Sequence, residues 1–263
     1  MEGGVIDIGT VELFAASALM LVAGVVSWRL ALGQERSIAI ATVRAFVQLL
    51  AMGFLLVYLF RYQSWWLVLA VLLAMALCAT QIAASRVKQK VRGLHLPIFA
   101  TLLSSSMVIA FVVVEGVIQP DPWYSARQLV PIAGMALGNT MSATAVAIDR
   151  LFADLDSRSD EMFALVALGA TPREAAFPSI KAAVGAGILP MLATMCAAGI
   201  VQIPGMMSGQ ILAGADPVVA AKYQIVVLLM MSAATTLAIV LICFLTFRRR
   251  FSREGYYLDA GIR

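Results

Sequence analysis

Histidine and cysteine are nearly absent: His95 is the single histidine, and Cys78, Cys196 and Cys243 are the three cysteines in 263 residues. One imidazole cannot form a His cluster around a metal, and no second histidine is present to assist a nucleophile. The cysteines fall far apart inside apolar segments, which excludes a disulfide framework or a C-x-x-C site and leaves them as small packing residues. His95 lies in a basic loop near Pro97 and reads as a solvated or phosphate-facing group. No Gly-x-x-x-x-Gly-Lys-Ser/Thr loop occurs, so the chain cannot cradle nucleotide phosphates in that way. A Gly-x-Ser-x-Gly elbow and a His-Glu-x-x-His pair are missing too, which leaves an intramembrane enzyme little chemistry to work with. Charge is also scarce, at 13% Asp, Glu, Lys and Arg.

What fills the chain is hydrocarbon. Hydrophobic residues make up 62% of it and the mean hydropathy is +0.92, more than a soluble core of this length can bury. The expected fold is all-α: a polytopic membrane protein of about seven transmembrane helices forming a single transmembrane domain over residues 1–263. A bilayer core about 30 Å thick needs roughly 20 apolar residues per helix. Such stretches run near Leu13 to Leu32, Val43 to Phe60, Trp65 to Ser85, Ile98 to Ile118, Leu129 to Ile148, Gly185 to Ile203 and Ile225 to Phe247. The N-terminal segment, Met1 to Thr10, carries Glu2 and Asp7 and no Lys or Arg, so it lacks the basic region of a cleavable signal.

The net charge of +4 does not indicate nucleic-acid binding, because the cations sit in short loops rather than along one stripe with aromatics. They indicate topology. With the N-terminus outside, the inner side receives Arg29, Arg36 and Arg44, then Arg86, Lys88, Lys90 and Arg92. It then receives Arg150, Arg158, Arg173 and Lys181, and finally Arg248, Arg249, Arg250, Arg253 and Arg263. Only Arg61, Arg127 and Lys222 remain outside, a strong positive-inside bias that puts the C-terminus in the cytoplasm. Trp65, Trp66, Trp123 and Tyr124 fall at outer boundaries as interfacial anchors.

One long polar interruption, Asp149 to Lys181, breaks the apolar blocks and falls on the cytoplasmic side of that topology. Its punctuation predicts two short helices at an angle. Ser157, Ser159, Asp160 and Glu161 supply capping oxygens and negative charge at the first start, and Gly169 supplies the left-handed residue that ends it. Thr171-Pro172-Arg173-Glu174 is a capping box with proline at the first helical position. The first helix carries Met162, Phe163, Leu165, Val166 and Leu168, so something buries that face. The burying surface is either its own bundle or a soluble partner.

Inside the predicted bundle, the fifth span is the least lipid-like. Gly134, Gly138 and Ser142 fall at small-xxx-small spacing for helix packing. Met135, Asn139 and Ser142 project from the adjoining face, with Met141 nearby. Asn139 either hydrogen-bonds a neighbouring helix or lines a translocation path, since an amide in hydrocarbon needs one or the other. Glu115, near the outer end of the fourth span, is a functional candidate or a carboxylate that reaches water. In the sixth span Met191 and Met195 stand one turn apart, with Gln202 beyond. Fourteen methionines fit either packing or soft-metal ligation. The irregular segment from Gln202 to Pro217 predicts a short helix or re-entrant turn at the outer end.

Two resemblances sharpen this. Glu161 to Lys181, with Ala-Leu-Gly-Ala-Thr-Pro at its centre, resembles the cytoplasmic coupling segment of ABC-transporter permeases, although Lys181-Ala182 stands where a Leu-Pro often ends the importer motif. Four runs together resemble the FetB/YbbM-type ABC-transporter permeases, from Arg44 to the basic tail. They are Pro131-Ile-Ala-Gly-Met with Gly138-Asn139-Thr140-Met141, then Asp149-Arg150-Leu151, then Leu168-Gly169-Ala170-Thr171-Pro172, then Ile203-Pro204-Gly205-Met206-Met207-Ser208-Gly209-Gln210-Ile211-Leu212. That resemblance implies a permease subunit of the bacterial inner membrane, linked to export of iron or a related metal or solute, with plant relatives linked to aluminium tolerance. It implies a homodimer whose separate ATPase binds ATP-Mg and docks through Glu161, Phe163, Leu165, Leu168, Gly169, Thr171, Pro172, Arg173 and Glu174, leaving no cofactor on this chain. An importer, a lipid-handling permease, and a membrane scaffold or sensor are the alternatives the residues leave open. Spacing assigns no metal ligands.

Overall fold

The computed structural model describes residues 9–62, 64–88, 91, 93–252 and 255–258. Lys90, Arg92, Arg253 and Arg263 of the topology argument, with Glu2 and Asp7, lie outside the described residues. The described residues form nine α-helices: α1 (Thr10–Arg29), α2 (Glu35–Tyr62), α3 (Trp65–Arg86), α4 (His95–Ile118), α5 (Ala126–Ser157), α6 (Ser159–Ala167), α7 (Pro172–Ala197), α8 (Gly205–Leu212) and α9 (Pro217–Thr246). A single 3₁₀ turn, Phe247–Arg250, follows α9, and α4 widens to π-helical geometry at Leu103–Met107 and Val114–Ile118. Seven of the helices are long and apolar enough to cross a bilayer. No β-strand occurs among the described residues.

The helices follow from local chemistry. Asp216 caps α9 by accepting from the amides of Val218 and Val219 at 2.9 and 3.0 Å, with Pro217 at the first helical position. Between α1 and α2, Ser27 is buried and its hydroxyl accepts from the Gln34 amide at 3.2 Å, closing a turn in which Gly33 adopts φ +67°. The segment after Gln202 forms α8 as the short helix its brackets predict. The second span extends further than its apolar run, so Arg36 and Arg44 lie on α2 rather than in a loop.

The centre of the bundle is α5. Its 32 residues would extend about 48 Å at 1.5 Å per residue, well beyond a 30 Å hydrocarbon core. It packs against α3, α7 and α9 and contributes to both buried clusters. One cluster gathers Ile148, Leu151, Phe152 and Leu155 of α5 with Ile239 and Ile242 of α9 and Met162 of α6. The other gathers Leu129, Ile132 and Ala133 with Val68 of α3 and Val114 of α4. Helices α1 and α2 form a pair at the side, separated from α3 and α5 by an apolar crevice of about 660 Å³.

Close approach of α7 to α5 and α9 depends on Gly187. A Cβ there would lie 2.9 Å from Ile239 Cδ1 and 3.3 Å from Ala147 Cβ. Gly187→Val is therefore expected to destabilise the bundle by about 1–3 kcal/mol through overpacking, measured as a lowered thermal midpoint in detergent or nanodiscs.

Candidate functional site

Two features stand out, one at the end of the bundle and one inside it. The first is the elbow where α5, α6 and α7 meet. The predicted pair of short helices is corrected here. Only α6 is short. The second element, opening at Pro172, is the first turn of α7 and runs on to Ala197, with Pro178 and Pro190 inside the helix rather than ending it. The polar run from Asp149 likewise continues α5 as helix to Ser157. The expected cap also differs: Arg158 occupies the N-cap of α6 without a side-chain bond, while the Ser157 hydroxyl donates back to Asp154 O at 3.0 Å. Gly169 is left-handed at φ +95°, and the capping box is complete. The Thr171 amide donates to Glu174 Oε2 at 2.8 Å, and the Glu174 amide donates to Thr171 Oγ1 at 3.3 Å.

Arg158, read from sequence only as a topology charge, ties the elbow together. Its Nε donates to Glu161 Oε2 at 2.8 Å, its Nη1 donates to the buried Ser179 Oγ at 3.2 Å, and Asp154 lies 3.7 Å away. One guanidinium thus joins α5, α6 and α7. The Glu161 hydrogen bond raises the Arg158 pKa, and Arg158 in return holds the Glu161 carboxyl below the usual carboxylate range.

The tail after α9 returns to the same place. Arg250 Nη2 donates to Asp156 Oδ2 at 2.7 Å and its guanidinium lies 5.3 Å from the Phe152 ring centroid. The Tyr257 hydroxyl donates to Leu155 O at 3.0 Å, with Asp156 Oδ1 at 3.2 Å. The Tyr257 ring meets Phe163 and Phe251 edge-on at 5.4 and 5.5 Å. No local sequence pattern announces this clasp, since its partners are about a hundred residues apart.

Of the residues expected at a docking surface, Phe163 is 44% exposed and Leu168 86% exposed. Glu161, Thr171, Arg173 and Glu174 are exposed beside them, and Pro172 is half-buried. Leu165 instead packs against the core behind the fully buried Met162. Two residues not singled out join the exposed apolar group, Phe177 at 53% and Tyr256 at 62%.

The second feature is a cavity of about 130 Å³ where α5, α7 and α9 meet, lined by Asn139, Ser142, Gly187, Met191, Thr194 and Thr235 among others. It brings together Asn139, Ser142 and Met191 of the path candidates. Asn139 Nδ2 donates to Met135 O at 3.0 Å and lies 4.0 Å from Met231 Sδ. Met141, Gly134 and Gly138 line the α2 crevice instead, and a Cβ on Gly134 would lie 3.0 Å from Met75 Cε. Met195 is half-buried outside the cavity, Gln202 is exposed, and Glu115 lies in the second π-helical stretch with Oε1 buried and unpaired. Thr235, inside the most apolar span, carried no sequence signal.

Seven helices long and apolar enough to cross a bilayer, three of which line a cavity with polar groups, and a charged elbow at one end define a multi-pass α-helical membrane protein. The family profile described as "Uncharacterised protein family (UPF0014)" matches residues 10–251, and the chain belongs to that family. It is 31% identical over 241 residues to the "Probable iron export permease protein FetB" of Escherichia coli, covering 92% of each chain. It is 31% identical to the "UPF0014 membrane protein STAR2" of rice, covering 96% of this chain and 87% of the relative. To the "Protein ALUMINUM SENSITIVE 3" of Arabidopsis thaliana it is 31% identical, covering 97% and 91%. No solved structure matches it.

The Glu161 shift has a signed consequence. A depressed native pKa stabilises the elbow above the unfolded carboxylate value, and that contribution is lost as pH falls through the lower native value. Hydrogen exchange of the α6 amides is expected to stay constant from pH 7 to pH 5 after correction for intrinsic rates, then to accelerate below the usual carboxylate range. Glu161→Gln should abolish that step. Arg250→Met should raise the rate of tail proteolysis and lower stability by about 1–3 kcal/mol, because Asp156 loses its partner.

Proposed function

We propose that the chain is the membrane-spanning permease subunit of an ABC transporter that exports iron or a metal-linked solute. Two copies pair, and separate ATPase subunits, which bind ATP-Mg, dock on the elbow within residues 149–181. The observation that carries this reading is the elbow itself. It holds an exposed apolar group, Phe163, Leu168 and Phe177, on a base that Arg158 fastens to α5, α6 and α7. An apolar group outside the bilayer and rigidly attached to two long helices suits a partner that must push on those helices. The relative named an iron export permease supports the direction and cargo class.

Orientation follows from charge. Arg150, Arg158, Arg173 and Arg248 to Arg250 cluster at the elbow end, and the Lys88 amide donates to Asp149 Oδ1 at 2.8 Å there. Positive-inside bias supports a reading with that end and the C-terminus in the cytoplasm and the N-terminus outside, in a bacterial inner membrane. Pairing of two copies is suggested by Gly138 and Ser142 of α5, which stay exposed at the α2 crevice and at the cavity. Lipid tails cannot satisfy such groups, and small residues admit a close helix.

The test is transport and ATP hydrolysis by the complex captured from membranes and reconstituted in vesicles, with metal ions supplied. Gly169 separates α6 from α7 at φ +95°, a conformation that costs a leucine about 1 kcal/mol or more. Gly169→Leu is expected to insert normally and to keep hydrolysing ATP while transport falls about tenfold. Transport at the wild-type rate in that variant overturns the docking role.

A further inference from the structure

The cavity between α5, α7 and α9 contains hydroxyls, an amide and a thioether, and no titratable side chain. Its most informative group is Thr235. That residue is 2% exposed, lines the cavity, and has no hydrogen-bond partner for its Oγ1. Threonines inside helices ordinarily donate to the carbonyl four residues back. Thr80, Thr140 and Thr246 do so here, at 2.8, 2.8 and 2.6 Å. Thr101, Thr144 and Thr235 leave that bond unmade, and Thr235 is the one of the three that lines the cavity, where a ligand hydrogen bond would offset the cost of its buried hydroxyl.

The surrounding groups have the same character. Pro190 lines the cavity and has no amide hydrogen, so the carbonyl of Ala186 loses its helical donor. Thr194 Oγ1 donates to Pro190 O at 3.0 Å, leaving its oxygen lone pairs to accept. The Asn139 amide nitrogen is engaged by Met135 O, which leaves Oδ1 as its acceptor. Met191 closes one side with an apolar thioether.

Such a lining does not fit a bare multivalent cation. Moving an ion of charge two or three into hydrocarbon depth requires anionic ligands, and the ferrous ion is held by carboxylates and imidazoles. Among the described residues no three His, Cys, Asp or Glu side chains come together. The lining does fit an uncharged group with several hydrogen-bonding atoms. We infer that this cavity receives a small uncharged, hydrogen-bonding group, of a size that about 130 Å³ admits, rather than a bare metal ion. The inference rests on the permease reading above and narrows its cargo.

The full chain in lipid nanodiscs can be tested by equilibrium dialysis against three probes: ferrous ion alone without oxygen, metal-free maltol, and the larger uncharged tris-maltolate complex of ferric iron. The wild-type chain is expected to bind maltol saturably and ferrous ion at least about tenfold more weakly. Thr235→Val should weaken maltol about fivefold to tenfold, with Thr235→Ser restoring it, as expected for one hydrogen bond. Asn139→Asp should reverse the preference in favour of ferrous ion. Ferrous ion or the tris-maltolate complex bound more tightly than maltol, or no saturable binding of any probe, overturns the inference. ATP hydrolysis by the co-captured complex separates the two readings. Hydrolysis without probe binding removes the ligand class and keeps the permease, whereas uncharged-probe binding to a chain that captures no ATPase keeps the ligand class and removes the permease.

Discussion

A helix longer than the bilayer it crosses is the constraint on which the rest of this structure depends. At 32 residues, α5 overshoots a 30 Å core by several turns. The surplus must stand in water or at the interface, which is why Asp149, Asp154, Asp156 and Arg158 are gathered near its last turns. Once that end is fixed outside the hydrocarbon, it becomes the foundation for α6, for the start of α7 and for the returning tail. Arg158 and Arg250 are the two fasteners, one joining three helices and the other holding the tail against Asp156.

The same helices carry the cavity. Ser179, which Arg158 bonds, and Met191, which lines the cavity, both lie on α7, and twelve residues between them correspond to roughly 18 Å of helix. On α5 the distance from Asp154 to Asn139 is similar. A displacement applied at the elbow thus reaches the cavity through two helical rods instead of through loops. Pro190 interrupts the hydrogen-bond ladder of α7 along that route, with Pro178 one residue before it, whereas the proline inside α5, Pro131, lies outside its Asn139–Asp154 stretch. Such a division suits alternating access, in which one element rocks against another around a fixed site.

Much of this could be read before any coordinates. Apolar runs of about 20 residues locate seven spans because hydrocarbon admits few other backbone solutions, and the Thr171 capping box and the Gly169 turn are local motifs whose partners lie three residues away. Boundaries were less legible. Hydropathy ends where polar residues begin, but a helix ends only where its backbone bonds do, so Asp149 to Ser157 and Pro172 to Gly185 were read as separate from spans they in fact extend. Arg158 and Tyr257 were illegible in their roles because their partners are set by tertiary packing. Thr235 was the hardest case: in sequence it is one hydroxyl among alanines and leucines, and only the absence of a bond in three dimensions distinguishes it from Thr80 or Thr246.

Charge distribution links the elbow and the cavity into one physical scheme. The bundle keeps its ionic pairs at the elbow end, where water and counter-ions reduce the cost of holding them, as at Arg158 and Arg250. The cavity is lined by hydroxyls, one amide and a thioether, which cost far less to bury than ions and can be left partly unpaired without collapsing the packing. On the proposed transporter reading, binding charge tightly in the cavity would gain little, since a deep ionic well would slow release as much as it helped capture. The scarcity of carboxylates along the spans and the abundance of arginine at one end are two consequences of the same division, with charge placed at the elbow and neutral polarity placed at the cavity.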